Sequence, residues 1–324
     1  MTEQAYALVG DIGGTNARFA LVQPGSTDLQ HIEVLPCQDY ANLDGAVMDY
    51  LDRCQVAGVK QASIAFACPV HQDRIKMTNN HWVFSRTEMQ KTLGLSLFKC
   101  VNDFTAMALG VPHISQDQLI QVGGNPSAGA DSARARLVIG PGTGLGVSGL
   151  VKTSSNWVPL STEGGHVSYA PTDLTEIEVL KLLMQRFGRV SVERILCGEG
   201  LVNLYQCLAQ ISGEEPRLTQ PSAITQGALD QEDALAEQSL QLFCRIFGQV
   251  AGDGVLTIGA LGGVYVCGGI IPRFADYFKA SGFRDAFENK GRMRGYMESI
   301  PVYVVLEPYT GLLGAAEALT NIEV

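Results

Sequence analysis

The sequence lacks any excess of basic residues: 23 Lys and Arg stand against 33 Asp and Glu, a formal net charge of −10. Nucleic-acid binders and peripheral membrane proteins usually need a basic surface, so both classes are set aside. A nucleotide substrate is not, because its charge is met locally by a metal ion and backbone dipoles. No Cys-x-x-Cys occurs among the eight cysteines, at 37, 54, 68, 100, 197, 207, 244 and 267. That spacing suits neither a zinc site nor a compact disulfide framework. Free, buried thiols in a reducing cytoplasm are the expectation. His-Glu-x-x-His is absent, as is any Gly-Lys-Ser/Thr, so there is neither a zincin motif nor a P-loop. Met1-Thr2-Glu3-Gln4 carries no basic region and no signal-type apolar core, and no helix-turn-helix segment precedes the first strand. Gly254 to Pro272 is free of charge, but its glycines and its change of period read as a buried helix followed by a buried strand.

What is present describes a globular protein. Hydrophobic residues make up 46% and charged residues 17% of 324 residues, a length that favours two domains. The organising stretch is Tyr6 to Leu21. Tyr6 to Val9 reads as a buried strand ended by Asp11, and Gly13-Gly14 is a turn. Ala17, Phe19 and Leu21 share one face of a second strand whose other face is also partly apolar. A glycine pair without Cβ atoms lets backbone N–H groups approach an anion closely. Thr15 and Asn16 add side-chain donors, and Asp11 sits where a carboxylate holds a hydrated Mg²⁺ beside polyphosphate. Read alone, the segment is equally a plain hairpin.

Further elements follow in order. Helical spacing covers Asn42–Leu51, Ser63–Val70 is a buried strand, and Ser85 with Glu88 forms a capping-box start. Phe98–Val101 is a strand ending at Asn102-Asp103. Residues 123–136 read as an exposed loop. The longest helix spans about Asp233–Ile258. Gly248, Gly252 and Gly254 inside it each cost roughly 1 kcal/mol of propensity, which implies close packing against another backbone. Strand, glycine-rich turn and strand occur at 6–21 and again at 137–151, as two similar αβ domains facing across a cleft would require.

Four segments carry candidate chemistry. Gly140-Pro141-Gly142-Thr143-Gly144-Leu145-Gly146 misses the dinucleotide fingerprint, yet glycines around one threonine between strands suit a second phosphate cradle, or an elaborate turn. Asp103 at a strand end is either a catalytic carboxylate or a helix N-cap. Glu163-Gly164-Gly165-His166 sets a carboxylate and an imidazole to hold hydroxyl-rich ligands, or is a turn with incidental polar flanks. Ser191-Val192-Glu193-Arg194 is a weaker signal, also readable as a solvated helix start.

Together these residues resemble the bacterial glucokinases of the hexokinase–actin–Hsp70 superfamily across essentially the whole chain. The resemblance rests on Asp11–Arg18, Asn102–Ala106, Gly140–Gly146, Glu163–His166, Ser191–Arg194, Gly262–Ile270 and Gly311–Ala316. It implies a two-domain ribonuclease-H-like (actin-like ATPase) α/β fold with a cleft between the domains. The smaller domain would be 1–112 plus 307–324 and the larger 113–306. It implies ATP and Mg²⁺ as co-substrate and cofactor, glucose as acceptor, a homodimer, and a cytoplasmic location with no nucleic-acid or membrane partner. By resemblance Asp103 is the base for the sugar 6-hydroxyl, and Asn102, Glu163, His166 and Glu193 hold sugar hydroxyls together with Asp103. Gly13, Gly14, Thr15 and Asn16 with Gly142, Thr143 and Gly144 hold phosphates. Gly268 and Gly269 belong to the adenosine motif, and Asp11 organises Mg²⁺ through water. The cysteine-rich zinc motif of related repressor/ORF/kinase proteins is missing after His166, so the zinc-free branch fits. A kinase of another hexose and a non-catalytic sugar or nucleotide sensor on the same fold are the rival readings.

Overall fold

The computed structural model describes residues 6–126, 134–154 and 156–324. Contacts group the chain into two compact units. Met1–Gln116, Leu150–Ser161 and Glu307–Val324 form the first; Asp117–Gly149 and Thr162–Leu306 form the second. The loop expected over 123–136 falls largely on residues 127–133, outside the described residues, as does Met1–Gln4.

The chain begins with β1 (Ala7–Ile12), β2 (Asn16–Val22), β3 (Gln30–Pro36), α1 (Leu43–Arg53), β4 (Gln61–Phe66), β5 (Arg74–Lys76), β6 (Val83–Ser85), α2 (Arg86–Thr92), β7 (Leu97–Asn102) and α3 (Asp103–Gly110). β8 (Leu119–Gln121), β9 (Arg136–Pro141) and β10 (Leu145–Lys152) follow, then β11 (Trp157–Ser161), α4 (Leu174–Phe187), α5 (Gly198–Ser212), α6 (Pro221–Leu229) and α7 (Ala234–Ile258). The last elements are β12 (Val264–Val266), α8 (Ala275–Ala280), α9 (Phe283–Glu288), α10 (Arg294–Glu298), β13 (Val302–Val305) and α11 (Thr310–Thr320).

In the first unit the sheet order is β3-β2-β1-β4-β7. β1 and β2 form an antiparallel hairpin, and β4 and β7 extend the sheet parallel to β1. The apolar residues on both faces of the hairpin have separate destinations. Leu8, Ile12, Ala17, Phe19 and Leu21 pack with Ala46, Val47 and Tyr50 of α1. Ala7, Val9, Ala20 and Val22 pack with Leu312, Ala315, Ala316 and Leu319 of α11. A sheet covered on both faces reads as a nearly continuous apolar run, which is why strict alternation is missing from β1 and β2. Fully burying a side chain such as Leu8 or Phe19 contributes about 1.5–3 kcal/mol. β3, at the sheet edge, keeps mostly half-exposed or exposed residues.

The second unit repeats the plan: β10-β9-β12-β13-β8 are successive neighbours, with β12 parallel to β9 and to β13. The internal echo of the two glycine turns is therefore a repeated hairpin followed by parallel strands. α7 is capped by Asp233, whose Oδ1 accepts from Ala236 N–H at 2.8 Å. Gly248 and Gly252 lie where the inferred packing against another backbone needs them, whereas Gly254 makes room for the Leu137 side chain. A Cβ on Gly248 would stand 2.1 Å from the Phe283 carbonyl oxygen, and one on Gly252 would stand 2.8 Å from that of Phe287. Pro221 opens α6 at a helix position where a missing N–H costs nothing.

The tightest helix crossing joins α3 to α11. A Cβ on Gly314 would come 1.6 Å from the Ala106 carbonyl oxygen. Backbone on both sides leaves no flexible tip to move aside. Gly314→Ala is expected to lower stability by at least about 1–3 kcal/mol, the usual cost of overpacking. Gly45→Ala in α1, where the nearest atom would be 4.0 Å away, is expected to be neutral or stabilising by up to about 1 kcal/mol. Urea unfolding of the two variants checks the contrast.

Candidate active site

In the first unit the candidate residues gather at the carboxyl ends of parallel strands. Asp11 pairs in register with Ala65 of β4, and Phe66 with Asn102 of β7, so Asp11 and Asn102-Asp103 leave the sheet at one edge. Ligands of open α/β sheets bind outside that edge. Asn102, and not Asp103, is the N-cap of α3: its Oδ1 accepts from Phe104 N–H at 3.0 Å and Thr105 N–H at 3.2 Å. Asp103 is the first helical residue, half-buried, and its Oδ1 accepts from Phe104 N–H at 2.9 Å. The cap alternative for Asp103 is thereby taken by its neighbour.

The β1–β2 turn closes through Gly13 N–H donating to the Asn16 carbonyl at 2.9 Å. Gly13 and Gly14 do not adopt positive φ. Gly14 is needed for packing, since a Cβ would meet Asn79 Cβ at 2.9 Å, whereas Gly13 has room, its nearest contact being 3.6 Å. Thr15 is exposed. Asp11 faces Arg18 across the hairpin at 3.3 Å, and its side chain is 17% exposed. Burial pushes the Asp11 carboxyl above its ordinary value, opposed by the charge and hydrogen bond of Arg18. Gly311, at the start of α11, lies so close that a Cβ would touch this carboxylate at 3.0 Å.

In the second unit one carboxylate joins two motifs. Glu193 Oε2 accepts from Leu145 N–H at 2.9 Å, directly after the Gly142–Gly144 turn. Its Oε1 stands 4.0 Å from His166 Nδ1. The segment expected as a helix start is a short 3-10 turn, Val192–Arg194, with Val192 buried. Glu163-Gly164-Gly165-His166 forms another such turn, pressed onto β10: a Cβ on Gly165 would reach 2.2 Å from the Leu145 carbonyl oxygen. Glu163 and His166 are exposed. The Gly142–Thr143–Gly144 turn is closed by Gly142 N–H donating to Gly144 O at 2.8 Å, and Gly142 has open space around it. Gly268 has φ +89° and would place a Cβ 2.9 Å from the Pro141 carbonyl oxygen, so only glycine fits beside the end of β9. Gly269 has open space.

Within each unit, then, the sequence-derived residues converge. Asp11, Gly13–Asn16, Asn102 and Asp103 share the edge of the first sheet. Gly142–Gly144, Glu163, His166, Glu193 and Gly268-Gly269 share that of the second. Among the described residues no cluster of three His, Cys, Asp or Glu suits a metal ion, and no disulfide forms. No described helix is long and apolar enough to cross a membrane.

The glucokinase family model matches residues 8–322. The chain belongs to the glucokinase family. A glucokinase of Hahella chejuensis is 65% identical over 324 residues, all of both chains. A crystal structure of a glucokinase from an Antarctic psychrotroph is 32% identical, with a TM-score of 0.88 over 98% of this chain and 99% of that one. A glucokinase of the ROK family from Streptomyces griseus, solved with glucose and AMPPNP, shares the fold at 18% identity. Its TM-score is 0.63 over 97% of this chain and 99% of that one. The two-domain actin-like fold of these kinases is the fold of this family member.

Three residues around the site carry no signal that motif reading uses. Asn79 and Asn80 support the first turn from a polar loop, and Arg189 Nη2 donates to the His166 carbonyl at 2.6 Å. Each acts on backbone, so its side-chain chemistry alone does not point to the site.

The raised pKa of Asp11 gives a signed pH effect. Folded Asp11 holds its proton to higher pH than the unfolded chain, so stability is lost as pH rises through the interval between the two values. Near pH 3, where an unfolded Asp is largely protonated, this cost nearly vanishes. Asp11→Asn is expected to match the unsubstituted chain there and exceed it in stability at pH 7. Urea midpoints at both pH values check this; lower stability of the variant at pH 7 is the opposing result.

Proposed function

We propose that this chain transfers the γ-phosphoryl group of ATP to the 6-hydroxyl of D-glucose, giving glucose 6-phosphate and ADP. The observation that carries the reading is the family match over residues 8–322. Asp103 accepts the proton of the 6-hydroxyl. Asn102, held as the α3 cap, fixes the start of that helix and thereby Asp103. Glu163, His166, Glu193 and the amide of Asn102 hold the remaining hydroxyls, an acceptor-rich set suited to a polyol. Asp103 also binds the sugar as it accepts the proton.

Phosphates are held by backbone N–H groups of Gly14–Asn16 and of Thr143 and Gly144, while the N–H groups of Gly13 and Gly142 close the two turns. At both turns bare main chain permits close approach. Gly268 and Gly269 receive the adenosine part. Phosphoryl transfer demands little covalent chemistry of the protein, so positioning and charge stabilisation supply the rate. The residues present fit a nucleotide-borne Mg²⁺. That ion dehydrates reluctantly and is usually held by one or two carboxylates plus phosphates and water, and Asp11, at the end of β1 beside the first turn, is such a carboxylate. When bound, Mg²⁺ neutralises charge on the β- and γ-phosphates. No zinc enters this chemistry. Family resemblance extends the proposal to a homodimer working in the cytoplasm, in glycolysis.

A coupled assay with glucose, ATP and Mg²⁺ tests the reading: glucose-dependent ADP formation is expected, and its absence in folded protein rejects it. A panel of hexoses under the same conditions separates glucose from mannose or fructose as the acceptor. Asp103→Ala is expected to lower turnover roughly 10²–10⁴-fold while MgATP still binds. Near-normal turnover of that variant would remove Asp103 from the role of base.

A further inference from the structure

We infer that Asn80 is a positioning residue for the nucleotide: it sets the direction in which the Gly14 N–H points. The inference rests on the phosphate role proposed for the Gly13–Gly14 turn.

Asn80 lies in the polar loop between β5 and β6, away from every motif that identifies the family. Its Nδ2 donates to the Gly13 carbonyl at 3.1 Å. Its Oδ1 accepts from Trp82 N–H at 2.8 Å. The anchor behind it is firm. Trp82 is fully buried, its indole N–H donates to the Tyr40 carbonyl at 3.1 Å, and its own carbonyl accepts from Met77 N–H at 3.1 Å. Asn80 thus ties a fixed core residue to one peptide group of the turn.

That peptide group decides the function of the turn. In a trans peptide the C=O of one residue and the N–H of the next point in opposite directions. Holding the Gly13 oxygen against the 78–82 loop therefore turns the Gly14 N–H the other way, out from the loop. The turn has need of such a hold. Glycine peptides rotate at low cost, and neither glycine here is fixed by a positive φ. A second tether acts on the same turn, since Cys37 N–H donates to the Thr15 carbonyl at 2.8 Å and its thiol faces the Gly13 oxygen at 3.7 Å. Asn79 packs beneath Gly14 and sets its height. The loop presents the amide; the amide meets the phosphate.

Two variants test this. Asn80→Asp keeps an acceptor for Trp82 N–H and loses the donor to Gly13. Asn80→Ala loses both bonds and adds no charge, which separates loss of the tether from repulsion of phosphate. In both, KM for ATP and Kd for MgADP by calorimetry are expected to rise about tenfold. KM for glucose should stay within about twofold, and Asn80→Asp should retain the thermal midpoint. Wild-type nucleotide affinity in the two variants would overturn the inference, as would glucose and ATP constants rising in proportion. If the unsubstituted chain bound MgADP but made no glucose 6-phosphate, the kinase reading would fall. A weaker MgADP complex in the variants would still support the tether.

Discussion

The hydrogen bond from Leu145 N–H to Glu193 Oε2, 2.9 Å long, is the contact on which the second half of the site depends. It ends the Gly142–Gly144 turn and fixes one oxygen of a carboxylate whose other oxygen faces His166. A carboxylate receiving a backbone N–H makes a stronger bond than a neutral acceptor would. The proposed phosphate turn and the proposed sugar contacts are therefore one mechanical assembly. Gly144 leaves the space the carboxylate occupies, since a Cβ there would stand 2.4 Å from Oε2. Gly165 lets its own turn rest on Leu145. Three motifs far apart in sequence meet at a single strand residue.

The glycines of the site divide by physical purpose. Gly268 is required by its left-handed backbone and by the nearness of Pro141. Gly14 and Gly165 are required because Asn79 and the Leu145 backbone fill the space of a Cβ, whereas at Gly144 that space is taken by the tip of the Glu193 side chain. Gly13, Gly142 and Gly269 have no such neighbour, and their bareness is directed outward. These last three are where a ligand gains from a missing side chain.

Much of this was legible in the sequence, for reasons specific to each segment. The β1–β2 hairpin announced itself because strand, Asp, Gly-Gly and strand follow without interruption. The start of α7 near Asp233 was readable because a long apolar period follows it. Asn102 and Asp103 were found as a pair, but which of them caps α3 depends on the direction of β7, and only coordinates give that. The short helices over 275–298 escaped, since each is five or six residues long, too few for a 3.6-residue period to emerge. β8 is three residues long and half-buried, so it presents no alternation. Asn80 and Arg189 escaped for another reason: both hold backbone carbonyls, which no residue pattern records.

Coupling of the glycine turn to the sugar contacts through Glu193 is tested by steady-state kinetics of Gly144→Ala. The added methyl meets the tip of a flexible side chain, so the fold should tolerate it while the carboxylate moves off Leu145. KM for glucose is expected to rise about tenfold or more with little change in thermal midpoint, although the substitution lies in a phosphate turn. A variant whose only defect is a higher KM for ATP, with glucose binding unchanged, would contradict it.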